Sequence, residues 1–149
     1  MDKIIQIIAA GIGSLGFALL FNIKGKDLFW ASLAGLLDWA VYIITFIYTK
    51  DEYQSYFFAS LFLGLYSQII SRRNKAPATI YHAVGFIPLI PGRSLFLTME
   101  YLFITNWENV LKYGANSVNI AIAISGGIAL EIIFTKMYDF YKVRRKNDL

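Results

Sequence analysis

Between residues 85 and 94 the chain reads GFIPLIPGRS: two prolines, two glycines and an arginine set into an otherwise apolar stretch. These residue types suit anion binding. The Arg93 guanidinium can grip a carboxylate with two parallel hydrogen bonds. A helix restarting near Ser94 would turn free backbone N–H groups and the positive end of its dipole toward the same ligand, as transporters do. Pro88, Pro91, Gly92, Arg93 and Ser94 therefore read as a substrate path, and the plainer alternative is a proline kink that binds nothing. Three acids inside apolar runs are candidates for proton coupling or ion pairing. Asp38 lies ten residues beyond the start of the second run, about 15 Å along a helix and so near mid-membrane depth, where it could pair with Arg93. Glu100 follows Arg93 by seven residues, on nearly the same helix face. Glu131, near the end of the last run, could instead snorkel or pair with Lys136.

Little other chemistry is available. The chain has no cysteine and His82 is its only histidine, which excludes disulfides, thiolate catalysis and a Cys or His metal cluster. The acids are scattered singly, so no paired catalytic constellation is present; the reading is a non-enzyme with no cofactor and no metal. His82 alone reads as a packed or interfacial residue.

The elements that must position these groups follow from composition. Of 149 residues, 57% are hydrophobic and 16% charged, and the mean hydropathy is +0.52, which is a membrane composition. The fold class is an all-α integral membrane protein in contact with lipid. Five apolar runs form a single membrane domain over 1–149, at about 4–22, 28–49, 53–71, 78–105 and 116–136, followed by a basic tail at 137–149. As one straight helix, 78–105 would be about 42 Å long and overshoot the hydrocarbon. Its prolines predict a break instead, tolerated only where protein or a wet cavity covers the freed backbone. The connections, including NWENVLKYG at 106–114, are polar.

The net charge of +4 and pI near 9.3 reflect basic clusters between the runs, so they mark membrane orientation and not a nucleic-acid partner. Five crossings put ten basic residues on one side (Lys24, Lys26, Arg72, Arg73, Lys75, Lys136 and four in the tail) against Lys3, Lys50 and Lys112 on the other. Were the fourth run to dip in and return, the division would be six against seven. The bias places the N-terminus outside and the tail in the cytoplasm.

GIGSLG at 11–16 has the spacing of a dinucleotide fingerprint but lies within an apolar helix, without the strand that motif needs. Small residues four apart are packing signals: Ala9 with Gly13, Ala31 with Gly35, Ser60 with Gly64, Ala123 with Gly127. Trp30, Tyr48, Tyr53, Trp107 and Tyr113 fall near run boundaries as an aromatic belt. Trp39 and Tyr42 flank Asp38 at depth and, with Asn22, are cavity-lining candidates, with core packing as the alternative.

Three stretches, SLGFALLFNIKGKDLFWASLAGLLDWAVY, GFIPLIPGRSLFLTMEYL and NIAIAISGGIAL, together resemble the threonine/serine exporter family, in particular the small membrane subunit of its split form. The most specific matches are Gly16, Phe17, Phe21 and Asn22, Gly35 with Trp39 and Tyr42, and Pro88, Pro91 and Gly92. The resemblance implies a proton-driven exporter of the bacterial inner membrane, carrying small amino acids or related carboxylates. It also implies work with a larger membrane subunit on a small zwitterionic or anionic substrate; the small-residue faces, and the half-helices and intramembrane charges that protein must cover, point to a homo-oligomer as the other partner. Asp38 and Arg93 are not part of the family pattern and rest on the residue argument alone. A non-transporting scaffold that stabilises a partner, or a channel, would share the composition. The charge bias yields a direct test: in intact cells Asp2→Cys should react with an impermeant maleimide and Lys146→Cys should not, and the reverse pattern would invert the topology.

Overall fold

The computed structural model describes residues 3–147, and its α-helices follow the apolar runs: α1 (Lys3–Leu20), α2 (Lys26–Thr49), α3 (Glu52–Asn74), α4 (Ala78–Gly85), α5 (Gly92–Phe103) and α6 (Trp107–Asn147). Local chemistry sets the ends. Asp51 caps α3 by accepting the Gln54 N–H at 3.0 Å, which satisfies one of the free donors of the first turn. Lys50 and Lys75 close α2 and α3 in left-handed conformation, at φ of 56° and 57°, donating their N–H groups to Phe46 and Ser71.

Consecutive helices α1, α2 and α3 pack antiparallel in sequence, and α6 lies beside α3. Tyr53, at the start of α3, bonds Asn116, and Arg72, near its end, pairs with Asp139 at 2.7 Å, so α6 runs antiparallel to α3. One end of the bundle therefore carries Lys24, Lys26, Arg72, Arg73 and Lys75, and is termed the basic end. The α2–α3 turn lies at the opposite end.

Helices α1, α2 and α6 are long and apolar enough to cross a membrane, and a fourth crossing arises if α4 and α5 are taken as one bent span. The expected third run has the length but not the apolarity, because α3 carries Gln54, Ser55, Ser60, Ser67 and Gln68. Its position explains this. It packs against α2, α4 and α6, and Ser55, Ser60, Leu63, Gly64 and Ser67 are all buried there. A helix packed on three neighbours needs small residues for close approach on those faces, and Phe58, Leu65 and Ile69 form its exposed face.

The segment 78–105 is interrupted as its prolines require. Helix α4 ends at Gly85, a 3-10 turn follows over Ile87–Leu89, and α5 starts at Gly92 on an axis bent by 53°. The freed backbone groups are satisfied locally: the N–H groups of Leu89, Ile90 and Gly92 donate to Phe86, Ile87 and Ile90. Helix α4 packs on α2 and α3, and α5 packs on α6, so the break carries the chain from one side of the bundle to the other.

The last helix differs from expectation. NWENVLKYG, expected as a connection, is helical from Trp107 onward, because Asn106 Oδ1 accepts the Asn109 N–H at 3.3 Å and Glu108 in the first turn complements the dipole. The basic tail is helical through Asn147. GIGSLG lies within α1, with no strand among the described residues.

Three of the four small-residue pairs fall at interfaces. A Cβ at Gly35 would collide with the Ser14 side chain, one at Gly64 with Glu131, and one at Gly127 with Ser60. Gly13 instead faces open space, with Ala9 exposed beside it. At Gly127 the obstacle includes backbone, since the Phe57 carbonyl oxygen would lie 2.5 Å and the Leu61 nitrogen 3.0 Å from the added carbon. Gly127→Ala must therefore push α3 and α6 apart, and should destabilise the protein by about 1–3 kcal/mol. Thermal unfolding in detergent should show a lowered midpoint for Gly127→Ala and an unchanged one for Gly13→Ala; equal midpoints would contradict this packing.

Candidate functional site

The first turn of α5 meets the start of α3 and the third turn of α6 at the end opposite the basic cluster. Three side chains tie these helices together. The Tyr53 hydroxyl donates to Asn116 Oδ1 at 2.8 Å, and Asn116 Nδ2 donates to Ser94 Oγ at 3.0 Å. Ser94 is buried and its carbonyl accepts from the Thr98 hydroxyl at 2.7 Å. One turn further out, Tyr101 stacks on Tyr113 with ring centroids 5.5 Å apart and planes 2° from parallel, while Lys112 Nζ lies 5.7 Å from the centre of the Tyr113 ring. These contacts hold α5 antiparallel to α6.

The helices enclose a cavity of about 550 Å³ bounded by Glu52, Arg93, Ser94, Lys112, Asn116 and Asn119. It holds two cations, one carboxylate and two amides. Arg93 can take a carboxylate in bidentate fashion, Glu52 can take an ammonium group, and the amides can donate to or accept from a hydroxyl. That set complements a small hydroxylated amino acid, and among the described residues no group of metal-ligating side chains is present.

Of the five residues read as a substrate path, Arg93 and Ser94 reach the cavity. Pro88 and Pro91 shape the break. Pro88 packs toward α2, its Cγ 3.4 Å from where a Gly35 Cβ would be, and the Pro91 carbonyl accepts the Leu95 N–H at 3.0 Å. Gly92 opens α5 with empty space around it, so close approach does not require a glycine there.

The expected Asp38–Arg93 ion pair is absent. Asp38 is fully buried in the middle of α2 with no hydrogen-bond partner on either oxygen, whereas Arg93 sits beside Glu52 at the end of the bundle. Depth counted by uniform helical rise fails here because the residues before α5 are not helical and the axis turns. Arg72–Asp139 is the ion pair found among the described residues, so Glu100, exposed on α5, does not pair with Arg93 either. Glu131 does not snorkel to Lys136. It is buried at 1% exposure against Gly64 and accepts the Thr135 hydroxyl at 2.7 Å.

Trp39 and Tyr42 stack on each other at 4.6 Å, and Tyr42 meets Tyr56 at 4.7 Å. They pack around Tyr56, Leu89 and Ile120, which is the core packing given above as the alternative for both. Asn22 does line one, a separate cavity at the basic end. His82 is half-buried near Phe86, with its Nε2 unpartnered.

Sequence reasoning missed Glu52, Lys112, Asn116 and Asn119. The two charges read as loop residues and Tyr53 and Tyr113 as belt aromatics: Glu52 opens α3 at the α2–α3 turn, and Lys112 lies in the helical start of α6 that was taken for a connection. The available signal was the pair Asn116 and Asn119, three apart on one helix face at the start of an apolar run.

No solved structure matches the chain. The family model described as "Threonine/Serine exporter, ThrE" matches residues 6–134, which takes in α1 through α5 and the cavity-lining part of α6, and the chain belongs to the threonine/serine exporter family.

Proposed function

We propose that this chain is a subunit of a bacterial inner-membrane exporter of threonine, serine or a related small carboxylate, and that the cavity between α3, α5 and α6 is its substrate site. The observation that carries this reading is the convergence of Arg93, Lys112 and Glu52 on one polar cavity with Asn116 and Asn119. A zwitterion needs both charge signs within a few ångströms, and a hydroxyl needs an amide beside them. The role is transport without chemical change of the substrate. Five crossings, with α3 the least apolar of them and packed on α2, α4 and α6, keep the N-terminus outside and put the basic end in the cytoplasm. The cavity then opens on the outer side, where an exporter releases its cargo.

Proton coupling is assigned to Asp38. Its carboxyl is enclosed on all sides with no donor and no cation beside it, and an intramembrane carboxyl of this kind is suited to taking up and releasing a proton. A larger exporter subunit, or a second copy, completes the assembly. Helix α5 packs on α6 and leaves Phe96, Met99 and Phe103 exposed. A scaffold or channel reading has no use for a cavity of mixed charge.

Arg93 is exposed and makes no ion pair, so Arg93→Ala should leave protein abundance intact. Loss of one charge-assisted contact, worth about 1.5–3 kcal/mol, should weaken export of labelled threonine or serine by roughly tenfold to a hundredfold. Export unchanged in both Arg93→Ala and Lys112→Ala would point to the scaffold reading. For Asp38→Asn, efflux from proteoliposomes should lose its response to an imposed pH gradient while exchange of internal for external substrate continues. An undiminished response to the gradient would remove Asp38 from the coupling step.

A further inference from the structure

The second polar cavity, at the basic end, is bounded by Asn22, Lys24, Asp27 and Thr79 and has about the same volume as the first, 550 Å³. We infer that it binds a zwitterionic amino acid and is the site where cargo is loaded before reaching the cavity at the opposite end. The inference rests on the exporter reading and extends it to a second site.

Its charges are balanced, with one cation and one carboxylate. Lys24 is an exposed point charge able to meet a carboxylate. Asp27 is fixed in place: the buried Tyr81 hydroxyl donates to Oδ1 at 2.6 Å and Asn74 Nδ2 donates to the same oxygen at 2.9 Å. Oδ2 takes neither bond, and a carboxylate held by one oxygen can offer the other to an ammonium group. The connection carrying Lys24 is shaped by two left-handed residues, Asn22 at φ 57° and Gly25 at φ 65°. The Ile23 N–H, donating to the Ala18 carbonyl at 3.0 Å, holds it against the end of α1.

The two cavities share one covalent segment. Thr79 and Ala83 of α4 line the cavity at the basic end, Arg93 and Ser94 of α5 line the one at the opposite end, and the bend at Pro88–Pro91 lies between them. The way between is shut where Gly85 meets Leu63 and Ala34, and where Gly35 meets Ser14 and Pro88. A bent segment that borders both cavities and carries the closure between them is the arrangement required if each is to be occupied in turn.

The test uses the full-length chain in open membrane fragments, with single cysteines at Thr79 or at Leu97, which lines the opposite cavity; the natural chain has none. Maleimide labelling is timed with and without millimolar L-threonine. The expected result is severalfold slowing at Thr79→Cys that disappears when Lys24→Gln is added, while slowing at Leu97→Cys persists in the same Lys24→Gln background and so reports an intact fold. Slowing at Leu97→Cys alone overturns the loading site and leaves the exporter reading standing. Slowing at Thr79→Cys alone supports the loading site and removes the substrate role from the opposite cavity. Succinate, which has two carboxylates and no ammonium, should not protect Thr79→Cys; protection equal to that by threonine would overturn the zwitterion assignment.

Discussion

A helix broken within a bundle that sits in lipid must have its backbone covered by protein, and here that cover depends on the absence of a side chain at Gly35. Ser14 of α1 fills the space a Cβ would occupy, and Pro88 of the break lies in van der Waals contact with it, its Cγ 3.4 Å away. A side chain reaching beyond Cβ would also press on the 3-10 turn, whose carbonyls, if exposed to hydrocarbon, each cost several kcal/mol. Gly85 acts in the same way one turn earlier, where Leu63 and Ala34 close over α4. With the turn seated, the 53° bend delivers α5 to α6 and sets Arg93 beside Glu52.

The same economy of small residues explains α3. Its serines and glycine would be a poor lipid-facing surface, but they let α6 approach until Glu131 lies against Gly64 and Ser60 against Gly127. Among the described residues, the two polar cavities lie at opposite ends of the bundle, and the broken segment passes from one to the other. Asp38 lies about one turn along α2 from Gly35, so the buried carboxyl sits close to the break.

Much of this was legible in sequence. The prolines of 85–94 announced the break, the small residues at Gly35, Gly64 and Gly127 announced the helix contacts, and the residues from Gly16 to Gly92 resembled the right family. Arg93 and Ser94 were picked out on residue type alone, and both line the cavity between α3, α5 and α6. Depth was not legible, because a count of helical rise across Pro88–Pro91 cannot include a 3-10 turn and a bent axis; that placed Arg93 beside Asp38. The partners of Arg93 were missed for a different reason. Lys112 sits on a polar start to α6 that resembles a loop until the Asn106 cap makes it helical, and Asn116 opened the last apolar run with nothing in the sequence to bring Ser94 and α5 against it. Trp39 and Tyr42 show the converse: aromatic residues beside a buried acid suggested a cavity, and stacking with Tyr56 fills the space.

The central claim is the position of the substrate. A structure of the full-length protein in lipid nanodiscs with saturating L-threonine would test it most directly. The account predicts ligand density between the Arg93 guanidinium and the Asn116 amide, with the ammonium group toward Glu52. Density at mid-depth beside Asp38, with the Arg93 cavity empty, would contradict it.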